Sequence, residues 1–434
     1  MNVQESSIPT IQERCRLAFS RKNRRILRWR AKQIMQYRID KKSGQKLSVL
    51  GLGCMRFPRS LGAIDMKKAE SIIMTSIEQG INYFDTAWMY PGSEEALGTV
   101  LEKNRSRNKI YIATKLPSMM VKKTEDLDRF FSEELNHLRT DHVDYYLIHN
   151  LPDFISWEYL VKLGIEPWIA AKKKNGQIKQ IGFSFHGTAG EFLKILAAYP
   201  WEFTQIQYNY SDENYQAGVR GLKKAAETMP VIIMEPLLGG KLAGNLPPEA
   251  QNIFRTADRH DDSPAAWGLR WVWNQSEAAV VLSGMTTPAQ VIENAALADA
   301  CPAGSLTAEE LEIYGRVREV FNKAYKIHCT GCAYCMPCPR EINIAGCFAA
   351  YNTSYSMGWS AGIKQYIMNT GIVSVKRSGP VNCTSCGSCQ SRCPQNIPII
   401  ENLKQVRRRM EPLPVRAIIK AARAIMGRKM PRLD

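Results

Sequence analysis

Eight short β-rich runs separated by segments of helical character occupy residues 46–300, and this alternation constrains the chain more than any other feature. The runs are VLGLGC (49–54), INYFD (81–85), KIYIATK (109–115), VDYYLIH (143–149), KQIGFSF (179–185), FTQIQYN (203–209), VIIMEP (231–236) and AAVVLSG (278–284). Strands that alternate with helices build βαβ units and hence a parallel sheet. In MKKAESIIMTSIEQG, Ile72, Ile73 and Ile77 recur at helical spacing, and Gly80 supplies a helix stop. Eight strands can close a (β/α)8 barrel. A doubly wound open sheet could use the same number, but no GxGxxG phosphate loop follows the first run, which favours the barrel.

The pattern changes after residue 304. Thr307 and Glu310 form a capping-box pair ahead of LEIYGRVREVFNKAY, expected as a connecting helix within 305–328. Of twelve cysteines, nine then fall between Cys329 and Cys393, eight of them at close regular spacing. Cys383, Cys386, Cys389 and Cys393-Pro394 match the CxxCxxCxxxCP run, in which three thiolates wrap one iron-sulfur cube while the fourth leaves for another. Cys329, Cys332, Cys335 and Cys338-Pro339 form a second run, one residue shorter before its last cysteine. Cross-ligation would give Cys329, Cys332 and Cys335 the thiolate of Cys393, and Cys383, Cys386 and Cys389 that of Cys338. Zinc held by paired CxxC knuckles is the competing reading; two triple-cysteine runs each closed by Cys-Pro fit [4Fe-4S] clusters better, with two clusters expected. Helical-looking stretches between the runs (IAGCFAAYN, AGIKQYIMN) point to a small, mainly helical ferredoxin-like domain over 329–401. Cys15, Cys54, Cys301 and Cys347 stand outside these spacings and read as buried thiols, and His328 as an exposed or hydrogen-bonded side chain.

The net charge of +17 is a property of the two ends. Residues 1–34, a basic extension ahead of a barrel expected over 35–304, carry +7; residues 402–434 carry +8, leaving +2 for everything between. A basic groove on the folded body is therefore not supported, and no nucleic-acid partner is expected. The segment PLPVRAIIKAARAIMGRK reads as a basic amphipathic helix, packed on the protein in preference to lying on an anionic membrane. No run approaches the roughly 18–20 apolar residues of a membrane span, the N-terminus lacks the apolar core of a secretory signal, and Arg24-Arg25 is followed at once by charge. A cytoplasmic protein is expected.

Active sites of (β/α)8 barrels lie at the C-terminal ends of the strands. There the sequence places Asp85, Lys115 and His149, with Tyr90 in the loop after Asp85. Together they supply a phenol acid, a cation to lower its pKa, a carboxylate to hold that cation and an imidazole to orient a carbonyl oxygen. The segments FDTAWMYPGSEEALG, YIATKLP and YYLIHN resemble those that carry the catalytic tetrad of the aldo-keto reductase family. The resemblance covers nearly the whole barrel and suggests a branch with a C-terminal ferredoxin-type domain. It implies Tyr90 as proton donor, Lys115 and Asp85 as its tuning pair, and His149 as the carbonyl-positioning residue. It also implies NADP(H) or NAD(H), with Ser184 and Gln205 at the carboxamide, Gly239 and Lys241 of LLGGKLAG at the pyrophosphate, and Gly284, Thr286, Gln290, Glu293 and Asn294 of SGMTTPAQVIENA towards the adenosine. Phe185, Met234 and Glu235 depart from the family pattern around the nicotinamide. The expected function is oxidoreduction of a small carbonyl or alcohol substrate, with the clusters serving electron transfer and a ferredoxin-like electron partner. The rival is an electron-transfer or redox-sensing protein whose barrel binds nucleotide without catalysis.

Overall fold

The computed structural model describes residues 35–244, 246–259, 262–370, 378–413 and 415–416. The basic N-terminal extension, Cys15 and nearly all of the C-terminal amphipathic segment lie outside them. An antiparallel hairpin, β1 (Tyr37–Ile39) and β2 (Lys46–Ser48), precedes β3 (Leu50–Gly53). A second small hairpin, β4 (Arg59–Ser60) and β5 (Ala63–Ile64), follows. The remaining strands are β6 (Tyr83–Asp85), β7 (Tyr111–Leu116), β8 (Val143–Ile148), β9 (Ile178–Phe185), β10 (Phe203–Gln207), β11 (Val231–Met234) and β12 (Ala278–Ser283). Strands β3 and β6 to β12 pair in parallel, in chain order, and close on themselves as the expected barrel.

All eight expected runs are strands, but several stop early. VIIMEP ends at Met234 because Glu235 takes a positive φ of 51° and turns the chain into the loop. The hairpin β1–β2 was not foreseen. It carries Leu47, fully buried among Tyr83, Tyr145, Phe203 and Val280 in the barrel interior. Its Asp40 accepts a hydrogen bond from Tyr145 Oη at 2.8 Å, so the hairpin stoppers the N-terminal end and leaves the opposite mouth for chemistry.

The helix Ala308–Ala324 starts with the expected capping box of Thr307 and Glu310. It is part of the barrel's core as well as a connector, since Tyr314, Val317 and Phe321 are fully buried against it. Beyond it, helices Ile344–Ser356, Trp359–Thr370 and Ile399–Met410 surround a second apolar core. The last of these crosses the boundary expected at residue 401: Leu403, Val406 and Met410 are buried in that core, where each aliphatic side chain contributes roughly 1.5–3 kcal/mol. Among the described residues, no helix is long and apolar enough to cross a membrane.

Candidate active site

Three neighbouring strands bring the centre together. Asp85 ends β6, Lys115 lies one residue before the end of β7, and His149 directly follows β8. Lys115 Nζ donates to both oxygens of Asp85 (2.7 and 2.8 Å) and to the Thr86 carbonyl (2.6 Å). The pair is almost fully buried, at 1% and 4% side-chain exposure, so removing one partner would strand a charge at a cost of about 3–5 kcal/mol. Tyr90 lies with its ring centroid 5.0 Å from Lys115 Nζ and meets the His149 ring edge-on at 5.8 Å.

Burial raises the Asp85 carboxyl above its ordinary range although Lys115 pulls it down. Burial, with the charge of Lys115, holds His149 well below the usual histidine range, so the ring is a neutral imidazole. Tyr90 departs from expectation. Burial first, then Tyr334 and Asp85, push its phenol well up. Lys115 spends all three of its ammonium N–H donors on Asp85 and the Thr86 carbonyl, which leaves none to bond the phenol.

Sequence reasoning missed the residue that reaches furthest into this centre. Tyr334 lies between Cys332 and Cys335, yet its Oη stands 3.0 Å from His149 Nε2, across 185 residues of chain. It also lies close enough to Tyr90 to raise that phenol's hold on its proton. Asp85, Tyr90, Lys115, His149, Cys332 and Tyr334 all line one cavity of about 190 Å³. Arg56, His186 and Glu235 line it too, and burial pushes the Glu235 carboxyl up to about 7. No motif marks Arg56, His186 or Tyr334 in the sequence; the fold alone brings them here.

The residues implied for a nucleotide divide into two groups. Ser184, Gln205, Gly239 and Gly284 line the cavity. Ser184 Oγ accepts from the Asn150 amide at 2.8 Å, and Gln205 Oε1 and Asn150 Oδ1 are buried without a hydrogen-bond partner among the described residues. Such a polar set suits a carboxamide. Lys241 is elsewhere: its ammonium donates to the Cys329 carbonyl. Thr286 donates to Gln290 Oε1 from its amide (2.7 Å) and hydroxyl (3.1 Å), Glu293 accepts from Ser263 Oγ (3.0 Å), and Asn294 donates to Ser283 Oγ (3.2 Å). These four and Lys241 do not line the cavity. Gly239 has a positive φ of 65°, and a Cβ placed on it would stand 2.2 Å from the Thr330 carbonyl oxygen. The polar set in the cavity thus fits a carboxamide, whereas Gly239 and Lys241, the positions implied for a pyrophosphate, are met by Thr330 and Cys329.

The cysteines line two further cavities. One brings Cys329, Cys332 and Cys335 together with Cys393; the other brings Cys338 to Cys383, Cys386 and Cys389. Among the described residues no three His, Cys, Asp or Glu side chains close on a single ion. Four thiols around a cavity have the donor chemistry of a [4Fe-4S] site, so both sets fit the group. Cys54, Cys301 and Cys347 are buried. His328 is 40% exposed with Nδ1 3.6 Å from Asp212 Oδ1, as suits a residue that is not a ligand.

Comparison with known proteins agrees with this architecture. Residues 49–313 match the aldo/keto reductase family and residues 328–406 match the 4Fe-4S dicluster domain. A D-galacturonate reductase of Fragaria ananassa is 28% identical over 290 residues, covering 62% of this chain and 86% of that protein. An aldo-keto reductase of Mycolicibacterium vanbaalenii is 28% identical over 260 residues, covering 57% and 81%. In fold, the barrel resembles an aldo-keto reductase from Klebsiella pneumoniae in complex with NADPH (TM-score 0.55, 19% identity, 66% of this chain and 95% of that one). It also resembles the holo form of one from Bacillus halodurans (TM-score 0.54, 23% identity, 65% and 96%). The chain therefore belongs to the aldo/keto reductase family, an oxidoreductase whose barrel is followed by a 4Fe-4S dicluster domain.

Proposed function

We propose that this oxidoreductase interconverts a small carbonyl compound and its alcohol at the mouth of the barrel, with Tyr90 as the proton donor. The observation that carries the reading is the convergence of Tyr90, His149 and the buried Lys115–Asp85 pair on one cavity that Cys332 also lines. A carbonyl oxygen seated between the Tyr90 phenol and His149 Nε2 receives a hydrogen bond from each, with the neutral imidazole protonated on Nε2. Tyr90 then gives up its proton as negative charge develops on that oxygen; a nicotinamide held by Ser184, Gln205 and Asn150 would supply the hydride to the carbonyl carbon. Lys115, held by Asp85, supplies the positive charge nearest the phenolate left behind.

Cys329, Cys332, Cys335 and Cys393 would hold one [4Fe-4S] cluster, and Cys338, Cys383, Cys386 and Cys389 a second. Such clusters supply one-electron transfer. Cys386 is exposed and Arg340 beside it is exposed, which supports a ferredoxin-like electron carrier as the partner there. Ser184, Gln205 and Asn150 support a nicotinamide ring in the barrel, as in the NADPH-bound neighbour.

Reconstituted protein is expected to carry about eight iron and eight sulfide per chain. Tyr90→Phe should lower carbonyl turnover by about 10²–10⁴ with the iron unchanged. Full activity in Tyr90→Phe would remove Tyr90 from this role. No carbonyl turnover by iron-replete wild type would favour the electron-transfer or redox-sensing reading.

A further inference from the structure

The segment from Cys329 to Cys335 does more than present thiols. Its Cys329 carbonyl takes the ammonium of Lys241, and its Thr330 carbonyl fills the space in front of Gly239. Its Tyr334 hydroxyl is bonded to His149 Nε2 in the cavity that Tyr90 also lines, where a carbonyl oxygen would sit. One short loop thus occupies both halves of the barrel's cleft.

We infer that Thr330 and Tyr334 decide what this cleft admits, so that docking of the Cys329–Cys335 loop and binding of a nicotinamide dinucleotide exclude one another. The inference rests on the reading of Tyr90 and His149 as the carbonyl site. The docked arrangement is well anchored on a second side. Gln395 donates to Gln207 Oε1 at 2.7 Å, Asn396 to the His186 carbonyl at 3.1 Å, and Tyr215 to the Gln395 carbonyl at 2.5 Å. Gln395 and Gln207 are buried, and buried polar groups with partners hold an interface in one geometry. The space left, about 190 Å³, is below the roughly 300–1,000 Å³ of ordinary cofactor and ligand pockets. It suits a single small ring or carbonyl compound and not a dinucleotide. A dinucleotide must therefore bind at the expense of the docked loop, and its apparent affinity falls by the fraction of molecules in which the loop is undocked.

The test is titration of the cluster-loaded protein with NADPH, followed by nicotinamide fluorescence, for wild type, Tyr334→Phe and Tyr334→Ala. Removing the hydroxyl deletes its bond to His149, so Tyr334→Phe should bind roughly fivefold tighter than wild type and Tyr334→Ala tighter still. In parallel, NADPH added to wild type should raise amide hydrogen exchange in the peptide spanning 329–336. Equal, measurable affinity in all three proteins with unchanged exchange overturns this inference alone and leaves Tyr90 its role. No binding by any of them overturns it together with the nicotinamide reading, while the Tyr90→Phe comparison still stands separately. If the Tyr334 variants lose their clusters, the wild-type exchange decides: a rise on NADPH binding supports exclusion, and binding without a rise overturns it.

Discussion

The two cysteine cavities present the same four-thiol chemistry on partly shared aliphatic walls, but with different exposure. The inner one, with Cys329, Cys332, Cys335 and Cys393, is walled by Ile344, Phe348, Ile397 and Ile399, and its Cys332 also faces the barrel cavity. The outer one, with Cys338, Cys383, Cys386 and Cys389, has Arg340 on its wall and an exposed Cys386. Solvent exposure, nearby charge and hydrogen bonding to sulfur tune iron-sulfur potentials, so ligand sets that match in sequence need not match in behaviour. The difference gives the domain a direction: an end that meets solvent and an end that meets the barrel's proton chemistry.

The largest effects that could break this contrast come from the ligands themselves. Cys332→Ser and Cys386→Ser should each lower iron from about eight to about four per chain. Carbonyl turnover driven by a protein electron carrier should drop to background in both. Only the inner variant should also change exchange protection around Tyr334, because Cys332 shares the barrel cavity. Full iron in Cys386→Ser would show that the outer cavity is not a cluster site.

A second effect separates the barrel-facing side by its response to acid. His186 lies under the interface, its carbonyl held by Asn396, and burial pushes its imidazole down from 6.5 to about 4. A histidine kept neutral in the fold binds fewer protons than in the unfolded chain between those values, so stability rises with pH there and is lost as pH falls from about 6.5 towards 4. The shift corresponds to roughly 3 kcal/mol. Thermal unfolding midpoints should fall across that window, and His186→Asn should flatten the slope; an unchanged slope would show that His186 is not what makes the interface acid-sensitive.

The smallest effect concerns the solvent-facing side. Arg340→Glu should slow reduction by an acidic carrier protein several-fold at low salt, with the difference vanishing at high salt, because exposed charges act on encounter rates and are screened. Reduction by a small chemical reductant should be unaffected. Stopped-flow rates at two ionic strengths give the comparison, and a rate independent of Arg340 would place the carrier elsewhere.

What the sequence determined by itself is whatever rests on local repetition. Strand and helix periods follow from which side chains a pleat or a helical turn can bury, so the eight barrel strands and the capping box at Thr307 were legible. That Asp85, Tyr90, Lys115 and His149 meet at one cavity was legible because a parallel barrel sends every strand end to one mouth. The grouping of the cysteines around two cavities was legible from their short, regular spacing. Only the tertiary structure decided what sits on that mouth. The pairing of Tyr334 with His149, the loss of Lys241 to Cys329 and the filling of the space before Gly239 join residues roughly 90 to 185 positions apart. No periodicity links such residues, since their contact is set by how two separately formed cores dock. The same holds for Tyr90: its motif announces an acid, but burial and the arriving Tyr334 hydroxyl determine how tightly it keeps its proton.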